Sequence, residues 1–293
     1  MTTLPRLPEI SQPLLEQSAA EAAAELATFL RQHGPVAVLT GAGISTDSGI
    51  PDYRDGDGAW KRQPPVQHQD FMTSEYTRQR YWARSLVGWS MMQSAQPNPA
   101  HKALAGLQAR GYVSYLVTQN VDRLHQKAGS QSVVDLHGRA DEVICMRCDY
   151  RAPRDEVHQR CDALNPGFRE RYRAAATVAP DGDADLEVDF RDFQVANCPQ
   201  CNHIVKPDVV FFGDNVPKER VSSVRQGLEA SGGLLVIGSS LMVFSGFRFC
   251  RYAHQNEQPV ALLTLGRTRA DDLASLKLNA RIADTLTHTL GQL

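Results

Sequence analysis

The sequence predicts an α/β chain built on a Rossmann-like, doubly wound parallel sheet, with a smaller module and a helical insertion set into it. Three observations predict this. Short apolar runs bounded by turn residues recur at Val36 to Thr40, Val113 to Thr118, Val133 to His137, Val209 to Phe212, Leu234 to Gly238 and Pro259 to Leu265. Runs this short and continuous suit strands buried on both faces of a parallel sheet. Helix-like segments separate several of them, the alternation expected of a doubly wound sheet. Two stretches, 59–100 and 139–206, break that alternation.

The first element is a helix. From Leu14 to Gln32 the apolar positions Leu15, Ala19, Ala22, Leu26 and Phe29 follow helical spacing, and His33-Gly34-Pro35 stops it. Val36 to Thr40 is then the first strand. A second helix is expected from Glu75 to Gln93, where Trp82, Leu86 and Trp89 fall at i, i+4 and i+7 and read as core. The resulting division assigns 14–58, 101–138 and 207–293 to the Rossmann-like domain, 59–100 to the helical insertion and 139–206 to the smaller module.

With 293 residues, 42% of them apolar, the chain can bury one large core and a satellite. Its formal charge of −2 provides no cationic face for nucleic acid. No apolar run approaches the roughly 20 residues of a membrane span, and residues 1–13 lack the pattern of a secretory signal, so a cytoplasmic protein without membrane partners is expected. Four of the six cysteines form two Cys-x-x-Cys pairs, Cys145/Cys148 and Cys198/Cys201. In a reducing compartment this favours metal over disulfides. Four thiolates suffice for a closed tetrahedral zinc site, structural because no ligand position is left open. The 49 residues from Asp149 to Asn197 must then fold back to join the pairs. A thioredoxin-like redox pair is the competing reading. Residues 139–206 carry 10 Lys+Arg against 13 Asp+Glu, which opposes a nucleic-acid-binding zinc module. The Asp181-x-Asp183-x-Asp185 run lacks the glycine and final glutamate of a calcium loop and reads as solvated.

Strand, Gly41-Ala42-Gly43, then an expected helix start is an arrangement whose backbone N–H groups can receive a pyrophosphate. Thr46 stands where the third glycine of the usual fingerprint belongs, so the short motif also fits a plain tight turn. The longer string Gly-Ala-Gly-Ile-Ser-Thr-Asp-Ser-Gly-Ile-Pro-Asp-Tyr-Arg, Gly41 to Arg54, closely resembles the cofactor loop of the sirtuins, the NAD-dependent protein deacylases. The resemblance continues through Thr118-Gln119-Asn120-Val121-Asp122, His137-Gly138, both cysteine pairs, Lys206 to Gly213 and Gly238-Ser239-Ser240-Leu241. It is nearest to class II sirtuins, through Gln79 to Arg84 and Gln96 to His101.

That resemblance implies NAD as co-substrate, acylated-lysine proteins as partners and an NAD-binding set of Gly41, Ala42, Gly43, Ser45, Ile50, Pro51, Asp52, Tyr53, Arg54, Gln119, Asn120, Val121, Asp122, Gly238, Ser239 and Ser240. Asn120 and Asp122 would hold the nicotinamide end and Gln119 the ribose. By pattern alone Asp122 reads as a helix N-cap and His137 as a structural strand-end residue, and the resemblance is what gives them functional roles. The implied chemistry has the acyl-lysine carbonyl oxygen attack the anomeric carbon and expel nicotinamide. His137 then acts as general base on a ribose hydroxyl, and the products are free lysine and O-acyl-ADP-ribose. Mono-ADP-ribosylation of protein through the same pocket is the alternative. Thr264 replaces the asparagine that sirtuins usually place two residues before Gly266, and Thr264, Gly266 and Ile282 are carried over as adenosine-side contacts. Tyr81 and Arg84 share a helix face, where desuccinylating sirtuins use a Tyr-x-x-Arg pair on a carboxylate-bearing acyl group. The same pair could instead simply pack beside Trp82.

Overall fold

Every residue from Val36 to Thr40 is buried, and alternate side chains go to opposite sides. Val36 and Val38 join one apolar cluster, and Ala37 and Leu39 join another. That is a strand covered on both faces. The structure, a computed structural model, describes residues 15–52, 65–172, 177–178, 184–186 and 188–293. Its strands are β1 (Val36–Thr40), β2 (Val113–Thr118), β3 (Val133–Asp135), β4 (Gly138–Cys145), β5 (Arg151–Pro153), β6 (Thr177–Val178), β7 (Ala184–Asp185), β8 (Val205–Val209), β9 (Leu234–Ile237), β10 (Val260–Leu263) and β11 (Leu276–Leu278). Its α-helices are α1 (Ala19–His33), α2 (His68–Thr73), α3 (Glu75–Ser94), α4 (Pro99–Ala109), α5 (Leu124–Lys127), α6 (Arg154–Leu164), α7 (Phe168–Tyr172), α8 (Lys218–Glu229), α9 (Phe244–Gln255) and α10 (Ile282–Gln292).

Six strands form one sheet in the order β11-β10-β9-β1-β2-β3, all parallel. The chain builds outward from β1 through β2 to β3, then returns to the other side of β1 and builds outward from β9 to β11. Strand order therefore reverses between β1 and β9, and the crevice outside their carboxyl ends is where such sheets bind ligands. Leu26 of α1, Leu104 of α4 and Leu286 of α10 cover one face. Leu228 of α8 and Phe249 of α9 cover the other.

Helix α1 begins five residues later than its apolar spacing suggests. Ser18 Oγ accepts from Glu21 N, and the Glu21 carboxylate accepts from Ser18 N, a reciprocal cap that sets the start and leaves Leu15 82% exposed. Among the described residues no helix is long and apolar enough to cross a membrane.

The run Val209 to Phe212 departs from its expected place in the parallel sheet. The strand there is β8, and it pairs antiparallel with β4 in a separate sheet ordered β5-β4-β8. Pro207 lies within β8 and cannot donate to a ladder, which an edge strand tolerates and a central one does not. Trp82 and Leu86 pack with Phe71, Val157 and Phe193 in the core of this smaller unit, while Trp89 packs with Ile50, Met92 and Leu124.

A polar network is buried beneath the crevice. His125 Nε2 lies 2.9 Å from Thr40 Oγ1, which donates to Thr118 Oγ1 at 2.9 Å. The His101 and His125 rings meet edge to face with centroids 4.9 Å apart. Burial pushes His101 down to about 4, and burial together with the neighbouring His101 pushes His125 to about 3.

Two predictions follow from this packing. Gly238 has φ +62°, and an added Cβ would sit 2.6 Å from Ile44 N, whereas Gly111 has φ +80° and open space around it. Gly111→Ala should cost about 1 kcal/mol of strain, and Gly238→Ala at least about 2 kcal/mol more, in denaturant unfolding; equal costs would contradict the close packing. In the unfolded chain both buried histidines take a proton below 6.5, while the fold keeps them neutral to about 4 and 3. Stability is thus complete above pH 6.5 and falls below it by up to about 1.4 kcal/mol per pH unit for each histidine. Urea midpoints at pH 7, 6 and 5 should decline steadily; a flat series would refute neutral burial.

Candidate active site at the sheet crevice

A cavity of about 470 Å³ opens at the carboxyl ends of β1, β2, β9 and β10 and is closed from the other side by side chains of α3, β4, α6 and β8. Its wall gathers Gly41, Ala42, Gly43, Ser45, Ile50, Pro51 and Asp52 from after β1, and Gln119, Asn120, Val121 and Asp122 from after β2. His137, Gly238, Ser239, Ser240, Thr264, Gly266 and Tyr81 complete the sequence-predicted part. Tyr53 and Arg54 lie outside the described residues. Ile282 opens α10 and is not on the wall, nor is Arg84.

The glycine turn is not a helix start. Two short 3-10 turns, Ala42–Ile44 and Thr46–Ser48, follow β1, and Gly49 ends them in the left-handed region. Gly43 N donates to Gly238 O at 2.9 Å, and a Cβ on Gly41 would meet Ser239 Cβ at 2.7 Å, so the loops after β1 and β9 touch through bare backbone. Gly41 N, Gly43 N, Ile44 N and Ser45 N already donate to the carbonyls of Ile237, Gly238, Gly41 and Ala42, so this turn offers a ligand close approach to bare backbone rather than a row of free N–H groups or a long helix dipole.

Behind this turn Ser45 Oγ donates to Asp122 Oδ2 at 2.7 Å, and Asn120 Nδ2 donates to Ser45 Oγ at 3.0 Å and to Gly41 O at 3.2 Å. Asp122 Oδ1 accepts from Leu124 N at 2.9 Å in an Asx turn, one residue ahead of Arg123, which is the N-cap of α5, and Asp122 also lines the cavity. Burial raises its pKa against these hydrogen bonds. Gln119 Nε2 donates to Ser239 Oγ at 2.8 Å, a second tie between the strand ends.

His137 stands two residues beyond β3, which is shorter than its apolar run because Leu136 N already turns to Thr118 O. Nδ1 lies 2.9 Å from Gln119 O, and Nε2 lies 2.8 Å from Ser245 Oγ. Burial, opposed by the Gln119 hydrogen bond and reinforced by Arg220 and Arg248, pushes its pKa down to about 4. At neutral pH the ring is an uncharged base. Ser245 carries no signal in the sequence, being a serine in the first turn of α9 with no motif of its own.

At the far end of the cavity Tyr81 Oη accepts from Arg154 at 2.9 Å. Arg154, fully buried, also donates to Ser85 Oγ at 2.5 Å and to Ala140 O at 3.1 Å, and lies over the Trp89 ring at 4.5 Å. Arg154 carries no signal in the sequence, since a single arginine opening a helix is ordinarily solvated. Arg84, expected beside Tyr81, donates from Nε to Ala184 O at 2.6 Å. On the opposite side Gly266 N donates to Asn279 Oδ1 at 2.8 Å, and Thr264 Oγ1 donates to Leu265 O at 3.4 Å.

Outside the cavity the sulfurs of Cys145, Cys148, Cys198 and Cys201 all lie within 4.8 Å of one another, with Cys145–Cys201 at 3.5 Å and Cys148–Cys198 at 3.6 Å. Four sulfurs about 2.3 Å from one ion at tetrahedral angles stand about 3.8 Å apart, so the set fits zinc.

The chain matches the Sir2 family model over residues 41–245. It is 56% identical to an NAD-dependent protein deacetylase of Xanthomonas campestris pv. campestris, covering 89% of this chain and 88% of that protein. With the NAD-dependent protein deacetylase 2 of Bradyrhizobium diazoefficiens it shares 52%, covering 95% and 98%. With the human NAD-dependent protein lipoamidase sirtuin-4, mitochondrial, it shares 48%, covering 89% and 84%. A solved structure described as Sir2, p53 peptide and NAD+ superimposes with a TM-score of 0.70 at 29% identity, covering 92% of this chain and 97% of that one. Glycine loop, histidine and cysteine cluster thus occur together in a chain that belongs to the Sir2 family.

Proposed function

We propose that the chain is an NAD-dependent protein lysine deacylase that transfers the acyl group of a modified lysine to ADP-ribose and releases nicotinamide. The observation that carries this is one cavity that joins a dinucleotide-type crevice to an uncharged histidine and to an apolar end beside Tyr81. The names of the bacterial relatives support deacylation over transfer of ADP-ribose to protein.

The parts divide as follows. The backbone of Gly41 to Gly43 and of Gly238 to Ser240 faces the pyrophosphate. Ile50, Pro51, Asp52, Asn120 and Asp122 enclose the nicotinamide end, where Asp122 and Asn120 are held in register by Ser45. Gln119 and Val121 border the ribose, and Thr264 and Gly266 border the adenosine; Ile282 supports that side from the start of α10. NAD supplies the ADP-ribosyl group that accepts the acyl chain. His137 takes a proton from a ribose hydroxyl at Nε2, while Nδ1–H on Gln119 O keeps the ring aligned. Apolar walls from Val209, Phe211 and Met92 exclude water, favouring acyl transfer over hydrolysis.

Acylated-lysine proteins are the partners in this reading. For the acyl group, Tyr81 is the contact retained from the Tyr-x-x-Arg pair, and Arg84 is read as packing against the segment at Ala184. The division into 14–58, 101–138 and 207–293, with 59–100 and 139–206 inserted, belongs to the same proposal and is supported by the separate apolar cluster of the smaller unit. A cytoplasmic setting is supported by six cysteines of which none is paired in a disulfide.

His137→Ala should abolish release of O-acyl-ADP-ribose from an acyl-lysine peptide while NAD binding, followed by calorimetry, stays within a few-fold; an active variant would sink the assignment. Metal analysis should find one zinc per chain, and Cys198→Ser should lower both zinc content and melting temperature, because metal binding is part of the folding free energy of such a site. Wild-type stability in a metal-free Cys198→Ser chain would refute a structural zinc.

A further inference from the structure

The hydrogen bonds of His137 assign its tautomer. A carbonyl oxygen only accepts, so the Nδ1 that lies 2.9 Å from Gln119 O carries a proton. Burial keeps the ring neutral at ordinary pH, so Nε2 holds the lone pair and the Ser245 hydroxyl, 2.8 Å away, is its donor. The lone pair required of a general base is therefore already engaged by the protein. Ser245 is the second residue of α9, and its hydroxyl has no capping duty there, since that helix shows no side-chain cap. His137 and Val243 lie on the cavity wall, whereas Ser245 does not, so the hydroxyl meets Nε2 at the edge of the wall.

We propose that Ser245 is a positioning residue for the base: its hydroxyl holds Nε2 of His137 in the NAD-free enzyme and gives it up to the ribose hydroxyl in the reactive complex. This rests on the reading of His137 as base. In the transfer the ribose O–H bond breaks and an Nε2–H bond forms. The Nδ1 proton stays on its bond to Gln119 O, and Ser245 keeps its own proton throughout. Exchange replaces one neutral hydroxyl donor by another, so its net cost is small. Before exchange the serine favours the uncharged ring, because a donor to Nε2 stabilises the neutral form. The charged groups facing His137 are Arg220 of α8 and Arg248 of α9, and both oppose the imidazolium whether or not the serine is engaged.

The test separates the two enzyme forms. With acyl-peptide saturating, the pH dependence of kcat/KM for NAD reports the form lacking NAD, and that of kcat reports the complex. In Ser245→Ala the acid limb of kcat/KM should move to higher pH by about half to one unit, the size of one lost hydrogen bond. The acid limb of kcat should stay in place, and Ser245→Thr should restore the first limb. An unmoved kcat/KM limb would overturn the proposal. Equal movement of both limbs would overturn it too, since the serine would then remain on the ring in the complex. Nitrogen-15 NMR of the His137 imidazole in the NAD-free protein gives a readout independent of turnover. The Nε2 resonance should move toward that of an unbonded pyridine-type nitrogen in Ser245→Ala and return in Ser245→Thr; no movement means no hydrogen bond. An active His137→Ala would defeat the base reading alone, and an unmoved Nε2 resonance would defeat the serine alone.

Discussion

The contact between two glycine backbones, Gly43 N on Gly238 O at 2.9 Å, lets the loops after β1 and β9 close on each other without side chains between them. Any Cβ at Gly41, Gly43 or Gly238 would press on the opposite loop at 3.0 Å or less. The rest of the crevice follows from that approach. Gln119 reaches Ser239, Asn120 reaches Gly41 and Ser45, and Ser45 reaches Asp122, so three strand ends are tied into one wall. A sheet whose order reverses between β1 and β9 creates the gap, and bare backbone keeps it narrow enough to grip a flat, extended ligand.

Much of this could be read from residues whose type is dictated locally. Val36 to Thr40 reads as a doubly buried strand because five uncharged residues sit between Pro35 and Gly41, and it is one. The cysteine pairs foretell their own meeting because few other arrangements satisfy four thiols, although their closure spans a long loop. Trp82, Leu86 and Trp89 read as core from spacing alone and are buried. Lost were features set by tertiary competition. Val209 to Phe212 has the composition of a central strand, yet Pro207 and pairing with β4 draw its start into the smaller sheet. The turn after Gly43 has the punctuation of a helix start but winds as 3-10 turns, with Gly49 ending the last of them. Ser245 and Arg154 acquire roles only from what the fold sets beside them.

The histidines show how one physical effect serves two ends. Burial removes charge from His101, His125 and His137 alike. For His125 this yields a buried polar layer under the crevice that joins the ends of β1 and β2 through Thr40 and Thr118, with the His101 ring set edge to face against it. For His137 it leaves a nitrogen lone pair beside a cavity, where absence of charge is the condition for accepting a proton. The difference lies in access: His125 is sealed, and His137 forms part of the wall.

Strand β8 belongs to the smaller sheet, yet the residue that follows it, Val210, donates its N–H to the carbonyl oxygen of His137 at 2.8 Å. A peptide plane thus couples the backbone of the cysteine-bearing unit to the backbone that carries the base. Val209 and Val210 also line the cavity, so the cysteine-bearing unit is the footing of both the wall and the imidazole, and loosening it would blur the aim of the ring and the shape of the cavity together.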